Sequence, residues 1–156
     1  LHRPSNVDQK NMLGNLIYEI VYHSKNMPIV FPVHPRTLKQ LELSNISYKN
    51  LHVVKPMTYL EFNYLVKKSK AVITDSGGIT EETTVFNIPC ITLRENTERP
   101  ETVKYGTNEL IGSGTENIKK NLKKLLSGNW KKGSIPELWD GKTAERIVSH
   151  ILDFET

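Results

Sequence analysis

The segment at residues 74–82, TDSGGITEE, combines residue types that bind anions with an order that would expose them to a ligand. A short apolar run ends at Thr74, and Gly77 and Gly78 follow before a helical pattern begins. Glycines let the backbone approach an anion closely, and the unpaired N–H groups of a first helical turn point toward it. Ser76 adds a hydroxyl donor. This order predicts a phosphate-binding turn; the alternative is an ordinary strand-to-helix turn in which Ser76 is the N-cap.

Two acidic residues, Glu81 and Glu82, follow the glycines in the same predicted helix. Acids near a helix N-terminus interact favourably with the helix dipole, typically by about 0.3–1 kcal/mol, and this alone would account for both. An acid beside a diphosphate is repulsive unless it serves another purpose. In nucleotide-binding folds that purpose is to accept hydrogen bonds from ribose hydroxyls. We expect one of the two glutamates to bind a ribose and the other to face solvent.

A second candidate segment, RENTERPE at residues 94–101, follows the next predicted strand. Arg99 precedes Pro100, and the stiffened backbone would aim its guanidinium at a diphosphate or a ribose, which it can bind through paired hydrogen bonds. The alternative is a surface loop whose charged side chains pair with one another and add little stability.

Both segments must lie at the same edge of a sheet to form one site, and the pattern of the chain predicts such a sheet. Helical and strand-like stretches alternate along almost the whole chain. This alternation predicts an α/β fold with a doubly wound, Rossmann-like parallel sheet, whose ligands bind beyond the carboxyl ends of the strands. The predicted helices are 8–23, 35–43, 58–69, a helix that begins after the glycine pair and ends near 87, 115–127 and 143–154. The predicted strands are 28–33, 51–54, 71–74, 90–93 and 110–111.

Two details of this pattern concern where elements begin. Thr58 and Glu61 have the spacing of a capping box and would open a helix. The first predicted helix has no strand before it, only the loop 2–6, whereas a doubly wound domain starts with a strand that leads into such a loop. We therefore expect a strand to end at or just before Leu1, within a longer protein.

Composition excludes several classes of protein. With 156 residues, 37% hydrophobic and 24% charged, the chain suits one globular domain, and no apolar run approaches the roughly 20 residues that cross a bilayer. The net charge of +4 is local, because six lysines and no acid lie between 119 and 132. These lysines alternate with leucines and lack interleaved aromatic residues, which favours a solvated helix face over a nucleic-acid site. The single cysteine, Cys90, is expected to be a buried, inert thiol in a reducing compartment such as the cytoplasm.

The two candidate segments and several further motifs closely resemble the C-terminal domain of the non-hydrolysing UDP-N-acetylglucosamine 2-epimerases. The further motifs are HRPSNVD at 2–8, PVHPRT at 32–37, GT at 106–107 with Gly112, and DGKTA at 140–144. The resemblance covers essentially the whole chain. It implies two doubly wound domains in a glycosyltransferase-B-like arrangement, with the active site in the cleft between them. Residues 1–156 would then be the single UDP-binding C-terminal domain.

The resemblance implies roles for the residues of the two candidate segments. Ser76, Gly77 and Gly78 match the family's diphosphate cradle, in agreement with the physical reasoning above. Glu82 matches the acid that binds the ribose. Arg99 matches the arginine of the TERPE motif that contacts the nucleotide.

Three residues outside these segments also match functional positions of the family. Phe62 matches an aromatic residue beside the uracil, although by its helical position alone it would be a core residue. Met57 falls at a UDP-contacting position where many members have Gln. His2 matches a catalytic histidine at the reacting sugar–phosphate end. The chain departs from the family pattern at Pro4 and Ser5, where many members have Arg and Glu.

Enzymes of this family invert carbon 2 of the sugar by eliminating UDP to leave an acetamidoglucal and adding it back with the opposite configuration. The resemblance implies this reaction, between UDP-N-acetylglucosamine and UDP-N-acetylmannosamine, with neither a metal nor an organic cofactor. The carboxylates for proton transfer come mainly from the N-terminal domain, so we expect the isolated chain to bind UDP without epimerising it. The expected partners are the UDP-sugar, the N-terminal domain and a second copy in a homodimer, and neither nucleic acid nor membrane.

Three alternatives to this reaction remain open at this stage. One is a hydrolysing relative that releases the free sugar. A second is a 2-epimerase of a modified UDP-hexosamine. The third, from a different functional class, is a nucleotide-sugar-binding module without catalysis.

Overall fold

The computed structural model describes residues 1–8, 12–44 and 46–154, apart from the side chains of Ser5 and Arg36, and it alternates helices with short strands. The helices are α1 (Pro4–Val7), α2 (Met12–His23), α3 (Pro35–Leu43), α4 (Tyr59–Lys68), α5 (Gly77–Val85), α6 (Pro100–Lys104), α7 (Thr115–Leu126) and α8 (Thr143–Phe154). The strands are β1 (Ile29–Pro32), β2 (Leu51–Val54), β3 (Val72–Thr74), β4 (Cys90–Thr92) and β5 (Asn108–Leu110). Every predicted helix and strand has a counterpart; residues 9–11 of the first predicted helix lie outside the described residues.

All strand pairs of the described chain are parallel, as predicted, but the strands are divided between two sheets. β1 pairs with β2, so that Ile29 lies opposite Leu51. β4 lies between β3 and β5, and Ile91 lies opposite Ile73 and Glu109. A complete doubly wound sheet has the strand order 3-2-1-4-5-6, and β1 and β3 correspond to its second and fourth strands. The sheet of β1 and β2 therefore matches the strands on one side of the first strand, and the sheet of β3, β4 and β5 matches those on the other side.

The largest core cluster surrounds β4. Cys90 and Ile91 of this strand are completely buried, because helices cover the sheet. Ile91 packs in one cluster with Leu16 of α2 and with Ile118 and Leu122 of α7. The predicted amphipathic character of α7 is confirmed, since its leucines and isoleucine face this core while most of its lysines are exposed.

Helix α2 connects the two sheets through its two apolar faces. Leu16 belongs to the β4 cluster, whereas Leu13 and Ile17 pack in a second cluster with Val33 after β1. Leu1 is partly buried and contacts both clusters. The loop before α1 is thus held between the two sheets.

Three elements differ from the prediction. The loop predicted at 2–6 contains the short helix α1, which begins at Pro4 because proline is favoured at the first helical position. The glycine pair was expected before a helix ending near 87, but Gly77 and Gly78 are the first two residues of α5, which ends at Val85. The charged segment 94–101 was expected to be a loop, but its end forms the short helix α6, which begins at Pro100 because proline is favoured at the first helical position. None of the helices in the described ranges is long and apolar enough to cross a membrane.

Candidate functional site

The junction between β3 and α5 has the geometry of an anion-binding turn. Ser76 occupies the N-cap of α5 with φ −93° and ψ 133°, and Gly77 and Gly78 begin the helix; we call these three residues the cradle. Thr74 Oγ1 accepts a hydrogen bond from the main-chain N–H of Ser76 at 3.1 Å, which stabilises the turn. The Ser76 hydroxyl makes no capping hydrogen bond. This hydroxyl and the first N–H groups of α5 are therefore available to a ligand.

The two glycines of the cradle have different surroundings. A Cβ atom at Gly77 would lie 3.3 Å from Glu98 Oε2 and 3.6 Å from Arg94 Nη1, so the loop after β4 packs directly on this glycine. A Cβ atom at Gly78 would meet no heavy atom of the described residues within 4 Å. Gly77 therefore serves packing, whereas Gly78 leaves the main chain of the first turn open to a ligand.

The loop that packs on Gly77 is held by a bidentate ion pair. Arg94 Nη1 and Nη2 each lie 2.7 Å from an oxygen of the Glu98 carboxylate, and Arg94 is only 8% exposed. Arg3 Nη2 lies 3.7 Å from Glu98 Oε1. The hydrogen bonds from Arg94 are the main reason that the pKa of Glu98 falls from 4.5 to about 2. Two guanidinium groups thus meet one carboxylate beside the cradle.

The two acidic residues of α5 contact different partners. Glu81 Oε1 forms an ion pair with Arg99 Nε at 2.6 Å. Glu82 Oε1 accepts a hydrogen bond from the Tyr59 hydroxyl at 2.8 Å. This hydrogen bond is the main reason that the pKa of Tyr59 is raised above its ordinary value. Since Tyr59 begins α4, the contact ties α4 to the second turn of α5.

Asp75, between β3 and the cradle, is fully buried and anchors the loop before α1. Its Oδ2 accepts hydrogen bonds from the main-chain N–H of His2 at 3.0 Å, from that of Arg3 at 2.9 Å, and from Asn6 Nδ2 at 3.1 Å. His2 Nδ1 lies 3.0 Å from Asp75 Oδ1. Burial alone would raise the pKa of Asp75, but the hydrogen bonds from the loop outweigh it and the pKa is lowered. His2 is therefore held next to the cradle.

Comparison with known proteins identifies the family. A family model described as UDP-N-acetylglucosamine 2-epimerase matches residues 1–152. The chain belongs to this family. Within it, the UDP-N-acetylglucosamine 2-epimerase of Methanocaldococcus jannaschii is 42% identical to this chain over 158 residues, covering 95% of this chain and 42% of that protein. The UDP-2,3-diacetamido-2,3-dideoxy-D-glucuronate 2-epimerase of Pseudomonas aeruginosa is 35% identical over 127 residues, covering 81% of this chain and 36% of that protein.

Solved structures of epimerases show the same fold. The crystal structure of the Methanocaldococcus jannaschii UDP-GlcNAc 2-epimerase in complex with UDP-GlcNAc and UDP has a TM-score of 0.79 at 42% identity, covering 98% of this chain and 43% of that chain. The Neisseria meningitidis enzyme bound to UDP-GlcNAc has a TM-score of 0.82 at 33% identity, covering 97% of this chain and 43% of that chain. The predicted fold class, Rossmann-like and of glycosyltransferase-B-like architecture, is confirmed. The chain spans less than half the length of these relatives.

In this epimerase-family chain the structure brings some of the predicted site residues together. Asp75 joins His2 to the cradle, and Arg99 reaches α5 through its ion pair with Glu81. Met57 lies two residues before α4 and Phe62 is the fourth residue of α4. Both are half-buried, and α4 packs against α5. Their roles, like those of the other predicted site residues, stay predictions. Within the described ranges, no group of three His, Cys, Asp or Glu side chains could hold a metal ion.

Sequence reasoning missed four residues of the site region. These are Asp75, which holds the His2 loop, Arg94 and Glu98, which hold the loop on Gly77, and Tyr59, which contacts Glu82. One of them left a signal in the sequence of this epimerase-family chain. A carboxylate directly after a buried strand, as at Asp75, must be paired, because burying it unpaired is costly. Its partners lie far away in sequence, and they could not be identified without the fold.

Proposed function

We propose that the chain is the UDP-binding C-terminal half of an enzyme that interconverts UDP-N-acetylglucosamine and UDP-N-acetylmannosamine. The observation that carries this proposal is that the cradle is open. The Ser76 hydroxyl makes no capping hydrogen bond, and the space beside Gly78, through which a ligand would reach the first N–H groups of α5, holds no heavy atom of the described residues. Membership of the epimerase family narrows the anion to the diphosphate of a UDP-sugar. Related structures are described as complexes with UDP-GlcNAc and with UDP, which supports this choice.

The cradle would stabilise the charge that develops when UDP leaves the sugar. Main-chain N–H groups and the Ser76 hydroxyl are fixed by the fold, so they need no rearrangement as the diphosphate departs. The same donors would hold UDP for its return to the opposite face. Retaining the leaving group removes the entropy cost of capturing it again from solution.

We assign the nucleoside end of the substrate to residues around α4 and α5. Glu82 would accept hydrogen bonds from the ribose, and Arg99 would contact the nucleotide. Phe62 and Met57 would lie beside the uracil. The contacts seen in the structure support the first two assignments, because Tyr59 orients the Glu82 carboxylate and Glu81 orients the Arg99 guanidinium.

His2 would act at the reacting sugar–phosphate end, next to the cradle. The carboxylates that move the proton at carbon 2 would come from an N-terminal half that completes the cleft. We therefore propose that this chain alone binds UDP and does not turn over the UDP-sugar. The complete enzyme would act in the cytoplasm as a homodimer, a location that suits the free, buried thiol of Cys90.

A second candidate substrate is a modified UDP-hexosamine. The specific observation in its favour is the 35% identity to an enzyme described as acting on UDP-2,3-diacetamido-2,3-dideoxy-D-glucuronate. Product analysis of the full-length enzyme with both UDP-sugars separates the candidates, because only the true substrate should give the 2-epimer. Accumulation of free sugar with UDP would instead show a hydrolysing enzyme.

Binding of UDP to the chain is the direct test of the cradle. In a titration followed by NMR, we expect the amide signals of Gly77 and Gly78 to shift with the bound fraction. Arg99→Ala should weaken UDP binding, whereas Arg146→Ala, which removes an arginine paired with Asp140 at the start of α8, should leave it unchanged. Stationary glycine amides in the presence of saturating UDP would refute the proposed site.

A further inference from the structure

Asp75 does more than fill the space between β3 and the cradle. It is completely buried, and its carboxylate is surrounded by donors from the loop before α1. Asn6, itself 1% exposed, donates from Nδ2 to Asp75 at 3.1 Å and to the carbonyl of Leu93 at 3.2 Å. The loop, through its main-chain N–H groups, and α1, through Asn6, would therefore be tied to the sheet even without a contact to the His2 ring.

The contact to the His2 ring has a chemical consequence of its own. His2 Nδ1 lies 3.0 Å from Asp75 Oδ1, while the His2 side chain as a whole is 57% exposed. A carboxylate at this distance accepts a hydrogen bond from Nδ1–H, so the neutral ring carries its proton on Nδ1 and a lone pair on Nε2. Nε2 makes no hydrogen bond to any described residue. It is the nitrogen left to exchange a proton with a ligand.

We propose that Asp75 is a positioning residue for His2, which fixes the Nδ1–H tautomer and directs Nε2 to the substrate. The catalytic part of this inference rests on the proposed function. In its protonated form the ring is an imidazolium whose charge is compensated by the buried carboxylate. As the bond between carbon 1 and the diphosphate oxygen breaks, Nε2 would pass its proton to that oxygen and leave the Nδ1–H imidazole, and the proton would return to Nε2 when UDP adds back. Asp75 stays ionised throughout.

The geometry favours an ionised Asp75 at every stage of such a cycle. Hydrogen bonds from two main-chain N–H groups, at His2 and Arg3, and from Asn6 stabilise the charged carboxylate. The same donors hold the carboxylate oxygens in place, so the oxygen facing the ring does not rotate away. This is the arrangement in which a carboxylate orients a functional histidine.

The tautomer of His2 tests the proposal on this chain without any ligand. Long-range proton–nitrogen NMR correlation of the ring distinguishes the two neutral forms above the pH at which His2 is protonated. We expect the Nδ1–H form to predominate, whereas an imidazole in water favours the Nε2–H form. Predominance of the Nε2–H form at His2 would overturn the proposal.

Two variants separate positioning of the ring from anchoring of the loop. Asp75→Asn can donate to Nδ1 through its amide and should shift His2 to the Nε2–H form. Asn6→Ser removes the Asn6 bonds to Asp75 and Leu93 but keeps the carboxylate facing the ring, so it should leave the tautomer unchanged. If both variants lower stability and neither changes the tautomer, Asp75 only anchors the loop and the proposal is wrong. Should Asp75→Asn fail to fold, the unaltered chain and Asn6→Ser still decide the tautomer.

Activity of the full-length enzyme gives the catalytic readout. Asp75→Asn should lower kcat at least about 10-fold and up to about 10⁴-fold with little change in KM, because an amide beside an acid/base histidine imposes the wrong tautomer. Asn6→Ser should retain most of kcat. Unchanged kcat in Asp75→Asn would overturn the catalytic part. Failure of the proposed function would appear differently, as no UDP binding to a chain whose His2 tautomer is as expected.

Discussion

At the scale of single residues, the two adjacent glycines of the cradle, Gly77 and Gly78, lack a side chain for different structural reasons. Gly77 has Glu98 and Arg94 packed where a Cβ atom would stand, so its lack of a side chain lets the loop after β4 come close. Gly78 has free space at the same place. No packing reason requires glycine at Gly78, which leaves the approach of a ligand as the explanation.

Replacing Gly78 with Ala should therefore separate stability from binding. We expect Gly78→Ala to raise the free energy of unfolding by up to about 1 kcal/mol, because alanine is the better helix former. We expect it to weaken UDP binding, because the methyl group enters the approach to the first turn. Chemical denaturation and calorimetric titration measure the two effects. Gly77→Ala is the matched control and should lose stability instead; equal UDP affinity in Gly78→Ala and the unaltered chain would contradict this assignment.

The ion pair between Glu98 and Arg94 predicts a pH dependence of stability. The pKa of Glu98 is lowered from 4.5 to about 2 in the folded chain, mainly by hydrogen bonds from Arg94. A lowered pKa stabilises the folded state above the unfolded value, and this contribution is lost as the pH falls from about 4.5 to 2. Glu98→Gln should therefore have a lower free energy of unfolding at neutral pH and a flatter pH dependence in this interval.

A control for the Glu98 prediction is available on α7. Glu116 is exposed and its carboxylate lies 3.8 Å from Lys119, a contact that contributes little. Because Glu116 lies in the first turn of α7, Glu116→Gln should lose only the interaction of that acid with the helix dipole, about 0.3–1 kcal/mol, between pH 2 and 7. If Glu98→Gln loses no more than this control, the pair with Arg94 does not stabilise the fold.

Residue types and spacing predict the cradle, and with the family resemblance they single out Glu82 and Arg99 as candidates near it. They do not predict the hydrogen bonds and ion pairs that hold this region in place. Ser76, Gly77 and Gly78 form a local pattern that can be recognised in a linear sequence. Asp75 and Arg94 act through partners that only the fold brings near. A sequence alone shows that such groups need partners and does not show which ones they find.

At the scale of elements, the start of α4 is the clearest case of a local signal that determines a boundary. Thr58 is the N-cap, its Oγ1 accepts from the main-chain N–H of Glu61, and Glu61 Oε2 accepts from the main-chain N–H of Thr58 at 2.9 Å. The predicted capping box is confirmed. It also places Tyr59 at the first position of α4, where its hydroxyl reaches Glu82.

Thr58→Ala should lower the free energy of unfolding by about 1 kcal/mol, because the side-chain acceptor for the first turn is lost. Thr58→Ser keeps the hydroxyl and should cost much less. Thermal unfolding of the two variants provides the comparison. A loss of equal size in both variants would show that the methyl group of Thr58, rather than its hydroxyl, stabilises α4.

Elements without such local signals were predicted less well. α6 has only five residues and lies in a segment whose charges suggest a surface loop. From the sequence, Pro100 is expected to stiffen a loop, whereas in the structure it is the first residue of a helix. The glycines at the start of α5 are poor helix formers by propensity, and they are helical here because the fold directs the chain from β3 into α5.

At the scale of the whole molecule, each sheet has an edge strand whose outer side can be identified, β1 in one sheet and β3 in the other. Ile29 and Val33 donate to the strand on one side of β1, so the main-chain groups of Val30 point to the other side. Val72 and Thr74 bond to β4 and its continuation, so the main-chain groups of Ile73 point away from β4. Both strands are thus oriented to pair with a strand placed between them.

We expect that strand to come from residues that precede Leu1 in a longer protein, since Leu1 contacts the cores under both sheets. Hydrogen exchange provides the measurement. The amides of Val30 and Ile73 should exchange more slowly in the longer protein than in this chain, because each gains a main-chain partner. The amide of Ile91 in β4 is the internal reference. Equal exchange of Val30 and Ile73 in both proteins would rule out the added strand.

Because Cys90 is buried in β4, its reaction with a thiol reagent can be used to measure the opening of this part of the fold. It is the only sulfhydryl in the sequence, it is completely enclosed in β4, and burial raises its pKa from 9.0 to about 11. Its thiolate can attack a maleimide or an aromatic disulfide from the solvent only after the central strand has come apart. The rate at which Cys90 is labelled therefore measures how often the native state opens, and no engineered cysteine is needed. A ligand that binds only the native state should slow the labelling exponentially with the stability it adds, about tenfold for every 1.4 kcal/mol.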